Sequence, residues 1–101
     1  MARWIEVGRE ALPGQLTIRV GDLLRFSASG GHVRAGAEVL QLLGPFIPAV
    51  VATDGRVLAP QAAPGILVFL ARAPGAARVD VVTGDPWRAP VMTAIEIQIE
   101  P

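Results

Sequence analysis

The stretch ARVDVVTGDPWRAPVMTAIEIQIE, residues 77–100, decides the fold of this chain because it contains two strand patterns joined by one compact loop. Residues 78–81 alternate polar and apolar side chains, and residues 95–100 do so more cleanly. A period of two is typical of a strand that buries one face. Between the two patterns Trp87 lies between Pro86 and Pro90. We therefore predict two strands and a loop that presents a large indole.

Further strand patterns precede this stretch. Residues 4–7 predict an edge strand, and residues 15–20 predict a strand with Leu16, Ile18 and Val20 on one face. Residues 23–28 continue the pattern, and Ser29-Gly30-Gly31 then predicts a flexible loop. Residues 37–43 are compatible with a strand or a short helix, and we favour the strand.

The second half of the chain supplies the remaining strands. Residues 46–52 and 56–58 predict a hairpin around Asp54-Gly55, with Pro48 typical of an edge. Residues 66–71 form the most apolar run and predict a central strand. Seven to nine short strands separated by turns predict an all-β, immunoglobulin-like Greek-key β-sandwich. Residues 1–101 are expected to form a single domain of this kind.

The apolar phase of the alternating runs predicts the core. With 51% hydrophobic but only 5% aromatic residues, aliphatic side chains must fill most of it. The predicted core residues are Leu24, Phe26, Leu67, Phe69, Val79, Val81, Ile95, Ile97 and Ile99.

Composition and charge exclude several classes of function. The nine arginines are scattered and balanced by nine acidic residues, which predicts a solvated surface and no nucleic-acid partner. The sequence has no cysteine and one histidine, so disulfides, thiolate metal sites and blue-copper sites are excluded. The first residues lack the apolar run of a signal peptide, and no stretch predicts membrane insertion. We expect no cofactor and no metal.

Catalytic residues are not evident either. His32 has no carboxylate beside it in the sequence, and the only serines are Ser27 and Ser29. Asp54 is typical of a turn, and Asp85 is suited to capping its own loop. We therefore predict that the protein is not an enzyme, with a hydrolase as the least favoured interpretation.

The Trp87 loop has two interpretations. Trp87 could cover the open end of the sandwich, or it could anchor a partner together with Arg88, since Trp and Arg are preferred at binding hot spots. His32 and Arg34 are expected on a solvated Gly-rich loop. The candidate partner-binding residues are Gly30, Gly31, His32, Pro64, Gly65, Asp85, Pro86, Trp87 and Arg88.

The order of these features resembles the chagasin-like inhibitors of papain-type cysteine proteases, which are small cysteine-free immunoglobulin-like sandwiches. Residues 20–24 resemble the opening strand pair of that family, residues 69–82 its central strands, and Asp85-Pro86-Trp87 its Arg-Pro-Trp loop. The family inserts three loops into the protease cleft. Its Asn-Pro-Thr-Thr-Gly loop has no counterpart in residues 27–36, and residues 62–65 replace its Gly-rich loop. The corner FLARAPG, residues 69–75, is also shared with generic bacterial immunoglobulin-like modules.

These features predict a non-enzymatic interaction module that presents loops from one end to a protein partner. Two alternatives remain open: a chagasin-like inhibitor whose partner is a papain-like protease, and a structural β-module that forms homo-oligomers. For the homo-oligomer, residues 4–7 and 91–100 are the candidate pairing strands, because terminal strands can expose an unpaired edge.

Overall fold

The computed structural model describes residues 3–8, 12–46, 50–51, 57–58, 65–84 and 88–101. These residues form ten strands: β1 (Trp4–Val7), β2 (Gln15–Arg19), β3 (Leu23–Phe26), β4 (Gly30–Ala35), β5 (Leu40–Phe46), β6 (Val50–Val51), β7 (Val57–Leu58), β8 (Ile66–Ala71), β9 (Gly75–Thr83) and β10 (Val91–Glu100). None of the described residues is helical, so none of them belongs to a helix that could span a membrane.

Eight strands form the two sheets of a sandwich. The first sheet has the order β1-β3-β8-β5, and the second has the order β2-β10-β9-β4. β1 is parallel to β3 and β2 is parallel to β10, whereas the other pairs within the sheets are antiparallel. The predicted all-β sandwich is confirmed, and the arrangement is consistent with an immunoglobulin-like one. β6 and β7 pair separately, as the predicted hairpin requires, while its Asp54-Gly55 turn and Pro48 lie outside the described residues.

The core lies between the two sheets and is the one predicted from alternation. All nine predicted core residues are exposed by 1% or less. Phe26 and Phe69 pack edge to face, with ring centroids 5.9 Å apart. Ile18 and Leu40 are equally buried and complete the cluster. Val20 does not share the core face of Ile18, because β2 ends at Arg19 and the chain turns there.

Two further sequence predictions are wrong. Gly30 and Gly31 were expected in a flexible loop, but they begin β4, which pairs with β9 at the edge of the second sheet. Residues 91–100 were expected to expose an edge, but β10 lies inside its sheet between β9 and β2. The edge position of β1 and the central position of β8 are as predicted. Residues 40–43 are strand, whereas residues 37–39 form a turn.

Candidate protein-binding end of the sandwich

The strand directions bring the flanks of the longer connections to one end of the sandwich. Short connections at 20–22, 27–29 and 72–74 join strands of opposite sheets, so each keeps two strand ends together. Combined with the pairing directions, this puts the described flanks of connections 8–14, 27–29, 47–65 and 84–90 at the same end. We call the flanks of the last three connections the loop end. Its described residues are 27–31, 65–67, 82–84 and 88–91.

The opposite end is closed by short turns that hydrogen-bond to one another. The amide of Gly21 donates to the carbonyl of Ala71 at 2.8 Å, and the amide of Arg72 donates to the carbonyl of Val39 at 2.7 Å. Gly21 has a φ of 93°, a left-handed conformation that favours glycine. These hydrogen bonds join the short turns of the two sheets to one another at the closed end.

Asp22 also lies at this closed end and connects β1 to the β2–β3 corner. Its buried carboxylate accepts a hydrogen bond from Arg3 Nη2 at 2.8 Å and another from the backbone amide of Arg19 at 2.8 Å. The hydrogen bond from Arg3 lowers the pKa of Asp22, while desolvation by burial opposes that shift. The charged form of Asp22 therefore stabilises the attachment of β1.

Ser29 fixes the 27–29 connection to the end of β9. Its backbone amide donates to the carbonyl of Val82 at 2.9 Å, and its hydroxyl donates to the same oxygen at 3.1 Å. Gly84 follows Val82 by two residues and has a φ of 83°. A Cβ on Gly84 would lie 2.8 Å from the carbonyl oxygen of Ala89. The two flanks of the 84–90 connection are therefore in close contact, and Ser29 lies beside them.

Gly31 brings the third flank to the same place. A Cβ on this residue would lie 2.7 Å from the Leu67 side chain and would overlap the backbone carbonyl of Asp80. Leu67 is the second residue of β8, directly after the 47–65 connection. Because Gly31 has no side chain, β4 of one sheet and β8 of the other approach closely here. The flanks of the three connections are thus packed together.

The predicted partner-binding residues are only partly described. Gly30, Gly31 and His32 lie in β4, and Gly65 and Arg88 are exposed. Pro64, Asp85, Pro86 and Trp87 lie outside the described residues, so whether Trp87 is a core or a contact residue stays open. Gly30 pairs with Val82 beside the flank of the 84–90 connection, and Gly65 directly precedes β8 at the same end of the sandwich.

A buried carboxylate next to His32 escaped the sequence analysis. Asp80 is paired with His32 across β9 and β4, and its neighbours Val79 and Val81 face the core. Its side chain, only 3% exposed, therefore lies on the outer face of the second sheet. His32 Nε2 is 3.1 Å from Asp80 Oδ2, and Arg34 Nε donates to the same oxygen.

The sequence neighbours of His32 offer no carboxylate, but strand pairing brings Asp80 next to it. The sequence could not reveal the contacts of Asp80, because they depend on how β4 and β9 pair, and Arg34 and Asp80 are 46 positions apart in the sequence. The only signal in the sequence was the alternation of residues 78–81, which puts Asp80 on the polar phase of β9 together with Arg78. The Arg34 guanidinium donates to the buried Asp80 carboxylate, so this contact can anchor the β4 edge to β9.

The described residues contain no group of three His, Asp or Glu side chains arranged to hold a metal ion. The serine hydroxyls offer little as nucleophiles, because Ser29 donates to Val82 and the other serine, Ser27, is exposed at a strand end. His32 and Arg34 lie on an open sheet face with more than half of each side chain exposed.

Comparison with known proteins finds similar folds among solved structures. No protein-family model and no curated sequence matches the chain. Among solved structures, the chain is similar to the cysteine protease inhibitor EhICP2 from Entamoeba histolytica, with a TM-score of 0.61 and 12% identity over 98% of this chain and 97% of that one. It is also similar to amebosin, with a TM-score of 0.52 and 12% identity over 97% and 98% of the two chains. These similarities establish a shared all-β fold.

Proposed function

We propose that this protein is a non-enzymatic binding module that contacts a protein partner with its loop end. The observation that carries the proposal is the direction of the strands, which brings the flanks of connections 27–29, 47–65 and 84–90 to one end while short turns close the other. The 84–90 connection contains Trp87 and Arg88, the residue types that most often dominate binding energy. The packing around Ser29 and Gly31 supports the proposal, because it fixes the flanks of these connections relative to one another.

A rigid base matters for binding because ordering a loop costs free energy that reduces affinity. Gly31 and Leu67 hold β4 against β8, and Ser29 bonds to β9, so the bases of the loops are ordered before a partner arrives. A hydrolase is less consistent with the same residues. His32 Nε2 lies 3.1 Å from Asp80 Oδ2 on an open sheet face, and among the described residues the hydroxyl of Ser29 is engaged in a hydrogen bond to the Val82 carbonyl.

For the partner we propose a papain-type cysteine protease. The support is the similarity to EhICP2, described as a cysteine protease inhibitor, which spans nearly all of both chains. At 12% identity that similarity concerns the fold, so the partner must be tested on this chain's own residues. The closest test compares the two tryptophans, since Trp87 belongs to the 84–90 connection whereas Trp4 begins β1 at the closed end.

The experiment is to titrate the protein into papain and follow cleavage of a fluorogenic peptide. We expect inhibition by the wild type and by Trp4→Ala, with Trp87→Ala weaker by about 30-fold or more, the effect of losing a hot spot of about 2 kcal/mol. Papain whose active-site cysteine has been blocked by a bulky covalent peptide inhibitor should no longer bind. Circular dichroism of both variants checks that each is folded.

The outcomes separate the partner from the binding surface. Absence of inhibition with the protein at tens of micromolar contradicts the protease partner. Inhibition that falls equally with Trp4→Ala and Trp87→Ala, or only with Trp4→Ala, contradicts the loop end as the contact surface.

A further inference from the structure

The edge of β1 carries backbone groups for which the described residues provide no partner. In the parallel pairing with β3, the carbonyl of Arg3 accepts from the amide of Leu23 at 2.8 Å, and the carbonyl of Val7 accepts from the amide of Ser27 at 3.4 Å. The odd-numbered residues of β1 therefore face β3. The amides and carbonyls of Trp4 and Glu6 point the opposite way, where no described strand pairs with β1.

This edge lacks the features that protect other edges of the sandwich. β5 carries a bulge between Leu42 and Gly44 and also contains Pro45, and β4 carries a bulge between Val33 and Ala35. Bulges and prolines prevent edge strands from pairing with other chains. β1 is paired with β3 in regular register and contains no proline.

The β1 edge also exposes apolar surface. Trp4 is 59% exposed, and Ile5 and Val7 are only partly buried against the core. The remaining edge, β2, instead exposes Gln15, Thr17 and Arg19. Of the two edges without a bulge, β1 therefore gains more from being covered.

The charges near β1 are compensated within the chain. Arg25 Nη1 is 3.3 Å from Glu6 Oε1, and Arg3 Nη2 is 2.8 Å from Asp22 Oδ2. The net charge of the whole chain is zero. A second copy of the same edge therefore meets little electrostatic repulsion.

We propose that β1 pairs with β1 of a second copy of this chain, antiparallel and about a two-fold axis at Ile5. In an antiparallel pair, directly opposed residues have their side chains on the same face of the sheet. A symmetric pairing of two identical strands must therefore place the two-fold axis at a residue and not between two residues. Centring on Ile5 opposes Trp4 of each copy to Glu6 of the other, and these are the residues whose backbone groups point outward. Each such pair exchanges both of its hydrogen bonds.

The alternative registers are less favourable. Centring on Glu6 opposes the two Glu6 carboxylates, and like charges directly opposite destabilise a sheet. Centring on Trp4 opposes Glu6 to Ala2 and leaves Ile5 without a direct partner in β1, since it is opposed to Arg3. The Ile5-centred register instead opposes the two Ile5 side chains in a non-hydrogen-bonded pair, where side chains are closest. It therefore continues the apolar interior across the axis.

The dimer that results is weak, and it leaves the loop end accessible. Four residues of β1 make a smaller interface than the roughly 1,200–2,000 Å² of stable complexes, so we expect half-association on the order of 100 µM. Because the two β1 strands run antiparallel, the two loop ends point in opposite directions.

The experiment is sedimentation velocity from about 1 to 500 µM, a range that spans the expected association. The wild type should shift from monomer to dimer. Glu6→Pro removes the outward amide at a position where an edge strand tolerates proline, so it should stay monomeric. Glu6→Gln keeps that amide while removing the same charge and the ion pair with Arg25, so it should dimerise like the wild type.

Amide hydrogen exchange locates the interface. The amides of Trp4 and Glu6 should exchange more slowly as the wild-type concentration rises, while the amide of Ser27, bonded to Val7, should be unchanged. A wild type that is monomeric over the whole range overturns the proposal. So does a Glu6→Pro variant that folds and dimerises like the wild type, or a dimer without concentration-dependent protection of Trp4 and Glu6.

Discussion

Truncation of Phe69 tests the arrangement of the two sheets. Phe69 is fully buried in β8, which lies between β3 and β5, and its ring meets that of Phe26 at an interplanar angle of 86°. A core Phe→Ala change costs about 3–5 kcal/mol from lost transfer energy and the cavity that remains. The edge-to-face pair contributes about 0.5–1.5 kcal/mol beyond its buried area. We therefore expect Phe69→Ala to lose about 4–5 kcal/mol.

Urea unfolding followed by circular dichroism measures this loss. With a slope of about 1–3 kcal/mol per molar urea, the midpoint should fall by roughly 1.3–5 M. If Phe69→Ala is unfolded without urea, Phe69→Leu should remain folded and lose about 1–2 kcal/mol.

Val68→Ala is the matched control. Val68 is adjacent on the same strand and 4% exposed, but it lies outside the core cluster. We expect it to lose about 1–2 kcal/mol for the two methyl groups removed. A loss below about 1 kcal/mol for Phe69→Ala, or one no larger than that of Val68→Ala, would refute the packing of the Phe69 side chain between the two sheets.

Two further predictions concern a glycine and a carboxylate. Gly31→Ala should destabilise the fold by about 1–3 kcal/mol in urea unfolding, because its Cβ would overlap Leu67 and the Asp80 carbonyl. The control Gly30→Ala should have little effect, since nothing lies within 4 Å of a Cβ there. Equal losses for the two variants would contradict the close approach of β4 to β8. The lowered pKa of Asp22 means that its contribution to stability is present above the ordinary value of 3.8 and is lost as the pH falls below it toward the folded-state pKa. Asp22→Asn should therefore lose about 1–2 kcal/mol at pH 7 and show a smaller further loss on acidification, and an unchanged acid dependence would contradict the role of this carboxylate.

The core could be predicted from the sequence because alternation alone fixes which side chains share a face. Ile95, Ile97 and Ile99 are buried as expected for the apolar phase of β10. Sheet order could not be predicted in the same way, since it depends on which strands pair. β10 was expected to expose an edge, but β2, which lies near the other end of the sequence, pairs with it in parallel.

Glycine was the main source of error at the candidate site. Gly30 and Gly31 suggest a flexible loop when only propensity is considered, because glycine is disfavoured in strands. In the structure Gly31 belongs to β4, where the absence of a side chain permits the contact with Leu67. The requirement arises from a tertiary contact between two sheets, so no local pattern contains it. The same is true of His32 and Asp80, whose contact depends on register.

The described residues of the two proposed surfaces share a backbone hydrogen bond, from the amide of Ser27 to the carbonyl of Val7, on the side of β1 that faces β3. β1 contributes an edge at the side of the sandwich, and Asp22 attaches it at the closed end. The loop end depends on Ser29 and Gly31, which contact β9 and β8 rather than β1. Glu6→Pro changes a backbone amide that points away from β3, so this change should abolish dimer formation while leaving the Ser27–Val7 hydrogen bond and the loop bases in place. Pairing through β1 would then join two loop ends facing opposite ways, so a dimer could bridge two partner molecules but could not bind one molecule twice.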